Sequence, residues 1–499
     1  MPLDHFDDKS IATFRNRYWI NSTYYKPGGP VILFDSGEQN AEPLLPYYLQ
    51  EYHGLSAAMR LAKRFGGLAI LWEHRFYGAS LPFPVNENTT AGQWKFLNTE
   101  QALEDVVFFA NSFPKKTSKK GSQPTIHPSV TPWIWLGGSY PGVRGAFMRI
   151  RNPEIIYATW ASSAPVHAQI DMAPYYKAAE RSLTRNCSAD WVAVTKYVDE
   201  TLNGTDKERI TDIKFALEFA RLSGKGGNTT LAANLTKDKA TRMSNLDSAT
   251  ILMDPLDFYQ YYGFEASLLP FCNLLETRNF TADPVESGIA KAFGVETAFE
   301  AFTTAIAELD YDMVPGNEDD QVQDRSWMWQ YCSEYGFYQR GDPSNPFSIE
   351  TSFLSLELFQ KQCNQTFPQG LPPAPAVENV NKYGGWNMTP SNILFTNGEF
   401  DPWRTMGLAS IEPNSPMRSP SLSIPRCNEE PAFPSFFGMT YSNMVHVSDM
   451  RVLLQPDSNH TNFRTVGFYS PISPEPFYAG LGLFQLALDE WLPCFQPTT

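Results

Sequence analysis

Ser139 stands in "WIWLGGSYPG" (Trp133–Gly142), between a run of bulky apolar residues and a glycine-proline turn. A serine hydroxyl is a weak nucleophile; it attacks a carbonyl only with a base to take its proton and a carboxylate to orient that base. The seven histidines are His5, His53, His74, His127, His167, His446 and His460. Only the last two lie far enough along to follow another strand. His460 sits inside "NHT", which reads as a wet loop, whereas His446, in "NMVHVSDMR", follows a long loop and precedes a helical run. For the acid, "SNILFTNGEFDPWR" carries an apolar run into an Asn-Gly turn, and Asp401 follows it. Asp449 and Glu399 are rivals, but Asp449 comes after the histidine and reads as a helix cap. Ser139, Asp401 and His446 thus form a candidate set for nucleophilic acyl transfer.

Such a set needs a scaffold that brings three distant segments to one edge. The runs "PVILF" (Pro30–Phe34), "LAILW" (Leu68–Trp72), "WIWL" (Trp133–Leu136), "IIYATW" (Ile155–Trp160) and "NILFT" (Asn392–Thr396) are short, apolar and bounded by turn residues, which predicts buried strands. Between them "NTEQALEDVVFFANSF" has apolar residues at helical spacing, with Asn98 as the N-terminal cap. Strands alternating with helices imply parallel βαβ units and an α/β sheet, at whose carboxyl edge active groups gather. Ser139 then occupies a strand–turn–helix corner of the α/β-hydrolase type, where glycines relieve crowding, and the triad order Ser, Asp, His fits that fold. The oxyanion of acyl transfer would be received by the backbone N–H of Tyr140 and by one from the loop "VILFDSGEQN", with Gly37 the expected close-approach position.

From about residue 172 the pattern turns helical, and strand character returns after the proline-rich "PQGLPPAPAVENV". The expected organisation is an α/β-hydrolase fold in two parts, residues 1–171 and 384–499, around an inserted helical cap over 172–383. A terminal helix is expected through "GLFQLALDEWL", while "EPNSPMRSPSLSIPRCNEEPAFP" is too proline-rich for regular structure and reads as a surface loop. The basic run Lys115–Lys120 reads as a solvated loop.

Lys and Arg number 39 against 54 Asp and Glu, a net charge of −15, which argues against nucleic acid as partner. The six cysteines, Cys187, Cys272, Cys332, Cys363, Cys427 and Cys494, contain no CxxC pair, so neither zinc nor a redox dithiol is expected, and no other metal or cofactor is called for. Ten Asn-x-Ser/Thr sequons, at Asn21, Asn88, Asn186, Asn203, Asn228, Asn234, Asn279, Asn364, Asn387 and Asn459, point to secretion, with a vacuolar or lysosomal destination as the variant. Three disulfides follow. Neighbourhood suggests 187 with 272, 332 with 363 and 427 with 494, although many connectivities stay open on sequence alone. The opening "MPLDHFDDKS" has no apolar h-region, so any signal segment is expected to have been removed, and the apolar stretch "FYAGLGLFQLAL" is too short to span a bilayer. A monomer or homodimer without membrane attachment is expected.

The segments "GGSYPG", "EHRFYGASLPF" (Glu73–Phe83), "NTEQALEDVVFFA", "ASSAPV" (Ala161–Val166), "NGEFDPW" (Asn397–Trp403) and the opening "LDHF" together resemble the S28 serine peptidase family, in family order. "CSEYGFYQ" (Cys332–Gln339) and "GGWNMT" (Gly384–Thr389) look most like its secreted fungal branch. The resemblance implies an α/β-hydrolase with a helical insertion over the site, acting on proline-containing peptides by cleavage after proline at acidic pH. It matches Ser139, Asp401 and His446 to the family's triad motifs and Trp403 to a wall of the proline pocket, with Glu334 as a pocket or polar anchor. Two departures stand out: "VHV" replaces a His-His pair, and "DSGEQN" replaces a loop closer to Thr-Gly-Asn-Glu-Gly. Endo- and exopeptidase modes both stay open. The competing readings are an esterase or lipase and a catalytically silent binding protein of the same fold.

Overall fold

Val31, Leu33, Leu68, Ile70, Trp133 and Trp135 bury themselves on one side of a sheet, while Ile32, Phe34, Ala69, Leu71, Ile134 and Leu136 bury on the other. Residues alternate faces along a strand, and here both faces are covered, which is why these runs read as continuously apolar. The computed structural model describes residues 1–50, 56–117, 126–311, 320–450 and 475–497, with only the backbone for 114–117. Asn459, His53, His460 and the end of the basic run fall outside those residues.

Among the described residues the sheet has eight strands, in the order β1-β3-β2-β4-β5-β8-β10-β9. They are β1 (Tyr18–Asn21), β2 (Val31–Asp35), β3 (Leu68–Trp72), β4 (Trp133–Gly138), β5 (Ala158–Ser162), β8 (Ile393–Gly398), β9 (Ser419–Ser421) and β10 (Ser435–Tyr441). Only β1 runs antiparallel, against β3; all other pairings are parallel. β6 (Gln169–Asp171) and β7 (Gly336–Tyr338) form a separate parallel pair that brackets most of the helical segment. This is the α/β-hydrolase fold. Helices α1 (Ala57–Phe65), α2 (Thr99–Thr117) and α3 (Tyr140–Arg151) cover the two faces, with the terminal helix Glu475–Trp491. At the start of α2 the backbone N–H of Gln101 donates to Asn98 Oδ1 at 3.0 Å, the cap expected from sequence.

A third core, built on Trp191, Phe271, Phe302 and their neighbours, gathers the helices between residues 178 and 306. Between β6 and β7 lie α4 (Arg185–Leu202), α5 (Lys207–Ser223), α6 (Leu269–Glu276), α7 (Val295–Ala307) and α8 (Gln321–Gln330). Cys187 bonds Cys272 within this core, Cys332 bonds Cys363, and Cys427 bonds Cys494. One expectation needs correction. The proline-rich segment does contain regular structure, the three residues of β9. It is tolerated because β9 lies at the sheet edge, where Pro420 forfeits no ladder bond to an outer neighbour.

Candidate active site

β4 ends in Gly137-Gly138, and the chain then turns so sharply that Ser139 adopts φ 66° and ψ −131° before α3 begins. That is a left-handed value which a non-glycine residue holds only when its surroundings impose it. Two contacts do so: the Ser139 N–H donates to Ser162 O at 2.8 Å, and Val143 N–H donates back to Ser139 O at 3.1 Å. The glycines are sterically required. A Cβ on Gly137 would lie 2.5 Å from the Pro141 carbonyl carbon, and one on Gly138 would lie 2.4 Å from Val447 Cγ1. Pro141 occupies the first turn of α3, where a missing N–H leaves no helical bond unmade.

The loop after β8 supplies the carboxylate. Asp401 Oδ1 accepts the Trp403 N–H and the His446 Nδ1–H, each at 2.9 Å, and its Oδ2 accepts Asn397 Nδ2–H at 3.2 Å. Both Asp401 and His446 are buried. A carboxylate at Nδ1 keeps the proton on that nitrogen and places the basic lone pair at Nε2. Ser139 and His446 line one cavity of about 250 Å³, and aromatic residues Trp327, Tyr335, Phe337 and Trp403 form much of its wall.

The rival carboxylates go elsewhere. Asp449 accepts the Ser162 hydroxyl and, at 3.0 Å, the Tyr441 hydroxyl, so it ties the histidine loop to β5 and β10. Burial pushes its carboxyl above the ordinary range. Glu399 accepts the Asn443 N–H at 3.0 Å.

The other expected site residues divide. Trp403 lines the cavity, its ring centroid 6.2 Å from that of His446, and its indole N–H donates to Gln260 Oε1 at 3.0 Å. Tyr140 lines it too, as the first residue of α3. Gly37 is pressed against the turn at Ser139; a Cβ there would meet Pro141 Cγ at 2.2 Å. Its N–H, however, donates to Asp35 Oδ1 at 3.2 Å, and the loop residues lining the cavity are Asp35, Ser36, Glu38 and Gln39. Asp35 itself pairs with Arg144 of α3 at 2.6 Å, both side chains buried. Glu334 is not brought to the cavity. It is buried beside it and accepts the Thr99 N–H at 2.8 Å and the Thr99 hydroxyl at 2.9 Å, anchoring the start of α2. The adjacent Tyr335 and Phe337 reach the wall instead. Phe337 holds φ 57°, and an aromatic residue in that region was the signal that sequence spacing could not supply.

Other quoted motifs form the frame. Arg75 of "EHRFYG" clasps Asp105 of α2 through Nε at 2.5 Å and Nη2 at 2.6 Å, while His5 of "LDHF" contacts the same carboxylate at 2.7 Å. Glu73 holds Arg17 and the Ser80 hydroxyl. Among the described residues no group of three or more His, Cys, Asp or Glu could hold a metal ion, and no helix is long and apolar enough to cross a membrane. None of the nine described sequon asparagines is buried.

The family model described as serine carboxypeptidase S28 matches residues 1–229 and 265–421. The chain belongs to that family. It is similar to the serine protease vicPb of Bipolaris victoriae, 27% identical over 84% of this chain and 80% of the relative. It is also similar to a probable extracellular serine carboxypeptidase of Arthroderma benhamiae, 29% identical over 82% of this chain and 58% of that protein. A third relative is the human lysosomal Pro-X carboxypeptidase, 24% identical over 81% of this chain and 77% of the relative.

Proposed function

We propose that this S28 family member is a secreted serine peptidase that cleaves proline-containing peptides after proline at acidic pH. The observation that carries the reading is the buried Asp401–His446 bond at a cavity that also receives Ser139 from a strained turn. In this reading His446 Nε2 takes the proton from Ser139 Oγ as the oxygen attacks the substrate carbonyl carbon. The tetrahedral oxyanion is received by the Tyr140 N–H, with the Ser36–Gln39 loop closing the other side. His446 then gives its proton to the departing amine, the C–N bond breaks, and an acyl-enzyme remains. Water attacks the ester carbonyl, its proton going to His446, and Ser139 is released with the carboxylic acid product.

Selectivity for proline is supported by the aromatic wall. Tyr175 and Phe337 pack edge-on against Trp403, with centroids 5.4 Å and 5.1 Å away. A rigid, apolar pyrrolidine ring suits such flat walls. Secretion and glycosylation are supported by three disulfides and by exposed sequon asparagines such as Asn88, Asn203 and Asn364. The test is a mass-spectrometric digest at about pH 4, where unperturbed carboxylates titrate. Peptides would carry one proline near the N-terminus, in the middle, or next to the C-terminus, with Ser139→Ala as control. Cuts after proline that vanish in the variant support the reading, and their position gives the endo, dipeptidyl or carboxypeptidase mode. Turnover of simple esters without any peptide cleavage overturns it.

A further inference from the structure

Tyr140 has a second set of partners, on its side chain. Its hydroxyl lies 3.0 Å from His74 Nε2 and 2.7 Å from Gln330 Nε2. His74 Nδ1 lies 2.6 Å from the Arg75 carbonyl oxygen, so Nδ1 carries the proton and Nε2 must accept. The direction of every bond then follows. Tyr140 O–H donates to His74, Gln330 Nε2–H donates to the Tyr140 oxygen, and the Tyr77 hydroxyl donates to Gln330 Oε1 at 2.6 Å. Tyr77, His74, Tyr140 and Gln330 are all buried. Burial, helped by the Arg144 charge, holds the His74 pKa well below its ordinary value, so the ring keeps its accepting nitrogen in acid.

This chain of bonds joins three parts of the molecule. His74 and Tyr77 belong to the segment after β3, Tyr140 opens the nucleophile helix α3, and Gln330 ends α8 of the helical segment. α8 is further seated on the connection between β3 and α2 by Ser326 Oγ–H to Phe76 O at 2.8 Å and by Trp329 Nε1–H to Leu97 O at 2.9 Å. The same helix brings Trp327 to the cavity wall, its ring 5.6 Å from that of Tyr140.

We propose that His74 and Gln330 are positioning residues that clamp the Tyr140 side chain and thereby fix the backbone N–H of Tyr140, coupling the seating of α8 to oxyanion stabilisation. The inference rests on the serine peptidase reading, in which that N–H meets the developing oxyanion. Tyr140 is residue N1 of α3, so its N–H is one of the orphan helix donors and no helical bond steadies it. Its aim is set by the turn at Ser139 on one side and by this clamp on the other. An oxyanion donor acts only within a narrow range of distance, and an error of about 1 Å is enough to cost about 100-fold in rate.

The test measures kcat and KM per active site for Tyr140→Phe, His74→Leu, His74→Gln and Gln330→Leu, with sites counted by saturating fluorophosphonate labelling of Ser139. Counting sites removes any loss from misfolded protein. Tyr140→Phe and His74→Leu are expected to lower kcat per labelled site by roughly 10- to 100-fold, with KM changed less than about 3-fold. The double variant is expected to be no worse than either single one. His74→Gln, whose amide oxygen can accept from Tyr140, is expected to recover most of the loss. If Tyr140→Phe fails to accumulate, Gln330→Leu carries the same expectation. Values of kcat per site within about 2-fold of the parent overturn the clamp, as do losses that add in the double variant. Failure of the underlying reading looks different: the parent protein itself would cut no peptide, either turning over only simple esters or taking no label at Ser139.

Discussion

Replacing Asp401 by Asn changes one atom and removes one charge, and its effect can be worked out from the contacts. Asp401 Oδ1 accepts two N–H groups, from Trp403 and from His446, both at 2.9 Å. The Asn side chain can keep its carbonyl oxygen at that point, which preserves both bonds and the Nδ1–H tautomer. Its amide then faces Asn397, whose own amide can turn to accept. Geometry survives; what is lost is the negative charge beside the imidazolium that, in the proposed reaction, forms when His446 takes the Ser139 proton. At about 4 Å between charge centres and an effective dielectric near 20, that interaction is about 4 kcal/mol. At 1.36 kcal/mol per decade, kcat should fall roughly 10³-fold while KM changes little.

The assay compares kcat per fluorophosphonate-labelled site on one peptide cleaved by the parent enzyme. Asp449→Asn is the control, because Asp449 is equally buried and only three residues from His446 in sequence, yet bonds Ser162 and Tyr441. It should lower thermal stability and leave kcat per site within about 3-fold, since its contacts fix a loop and not a charge on the ring. An Asp401→Asn enzyme within 10-fold of the parent would refute the electrostatic argument. Equal loss in Asp449→Asn, with the site count intact, would refute the choice of carboxylate.

Gly138→Ala places a Cβ 2.4 Å from Val447 Cγ1, next to His446, so the histidine loop must shift; kcat per site should drop at least 10-fold with a modest loss of melting temperature, and unchanged kinetics would show that the loop yields freely. In the helical segment burial pushes the Asp254 carboxyl up to about 7 and that of Asp257 to about 6. Both lie above the unfolded carboxyl value, so the folded chain holds protons that the unfolded chain releases. The stability they contribute is complete below about pH 4 and is lost as pH rises to about 7. The melting temperature should therefore fall between about pH 4 and about pH 7, and Asp254→Asn should flatten that slope; an unchanged slope in the variant would remove Asp254 from the account.

The sheet was readable because parallel strands buried on both faces leave uninterrupted apolar runs, and the five expected strands all appear, Leu68–Trp72 with the expected bounds and the others within three residues at their ends. β1 and β10 escaped because "YWIN" and "SFFGMTY" mix polar and apolar residues without a clean period. Ser139, Asp401 and His446 were chosen from chain order together with the turn and loop around each, and the fold carries all three beyond the carboxyl ends of β4, β8 and β10. Pocket residues were another matter. Glu334 and Phe337 are three positions apart, and whether a side chain there faces the cavity or the start of α2 depends on the irregular turn of residues 331–335 and on the left-handed φ of Phe337. Neither feature has a period to detect. Glu334 consequently became an anchor for Thr99, while Tyr335 and Phe337 supply wall.

The loop "DSGEQN" shows why a departure from a family pattern need not loosen a site. Arg144 Nη1 contacts both Asp35 oxygens, at 2.8 Å and 2.6 Å, and its Nη2–H donates to Ala102 O at 2.9 Å. A buried ion pair of this kind adds little net stability, because taking both charges out of water costs about what their attraction returns. Its value is positional. Asp35 closes β2, Arg144 stands one helical turn beyond Tyr140 on α3, and Ala102 lies in the first turn of α2. The pair therefore sets the distance between the loop after β2 and helix α3, and Gly37 fits into the remaining gap by packing on Pro141 with its N–H turned back to Asp35. Gly37 thus holds the loop from behind while Asp35, Ser36, Glu38 and Gln39 line the cavity, an arrangement that the glycine alone could not have revealed.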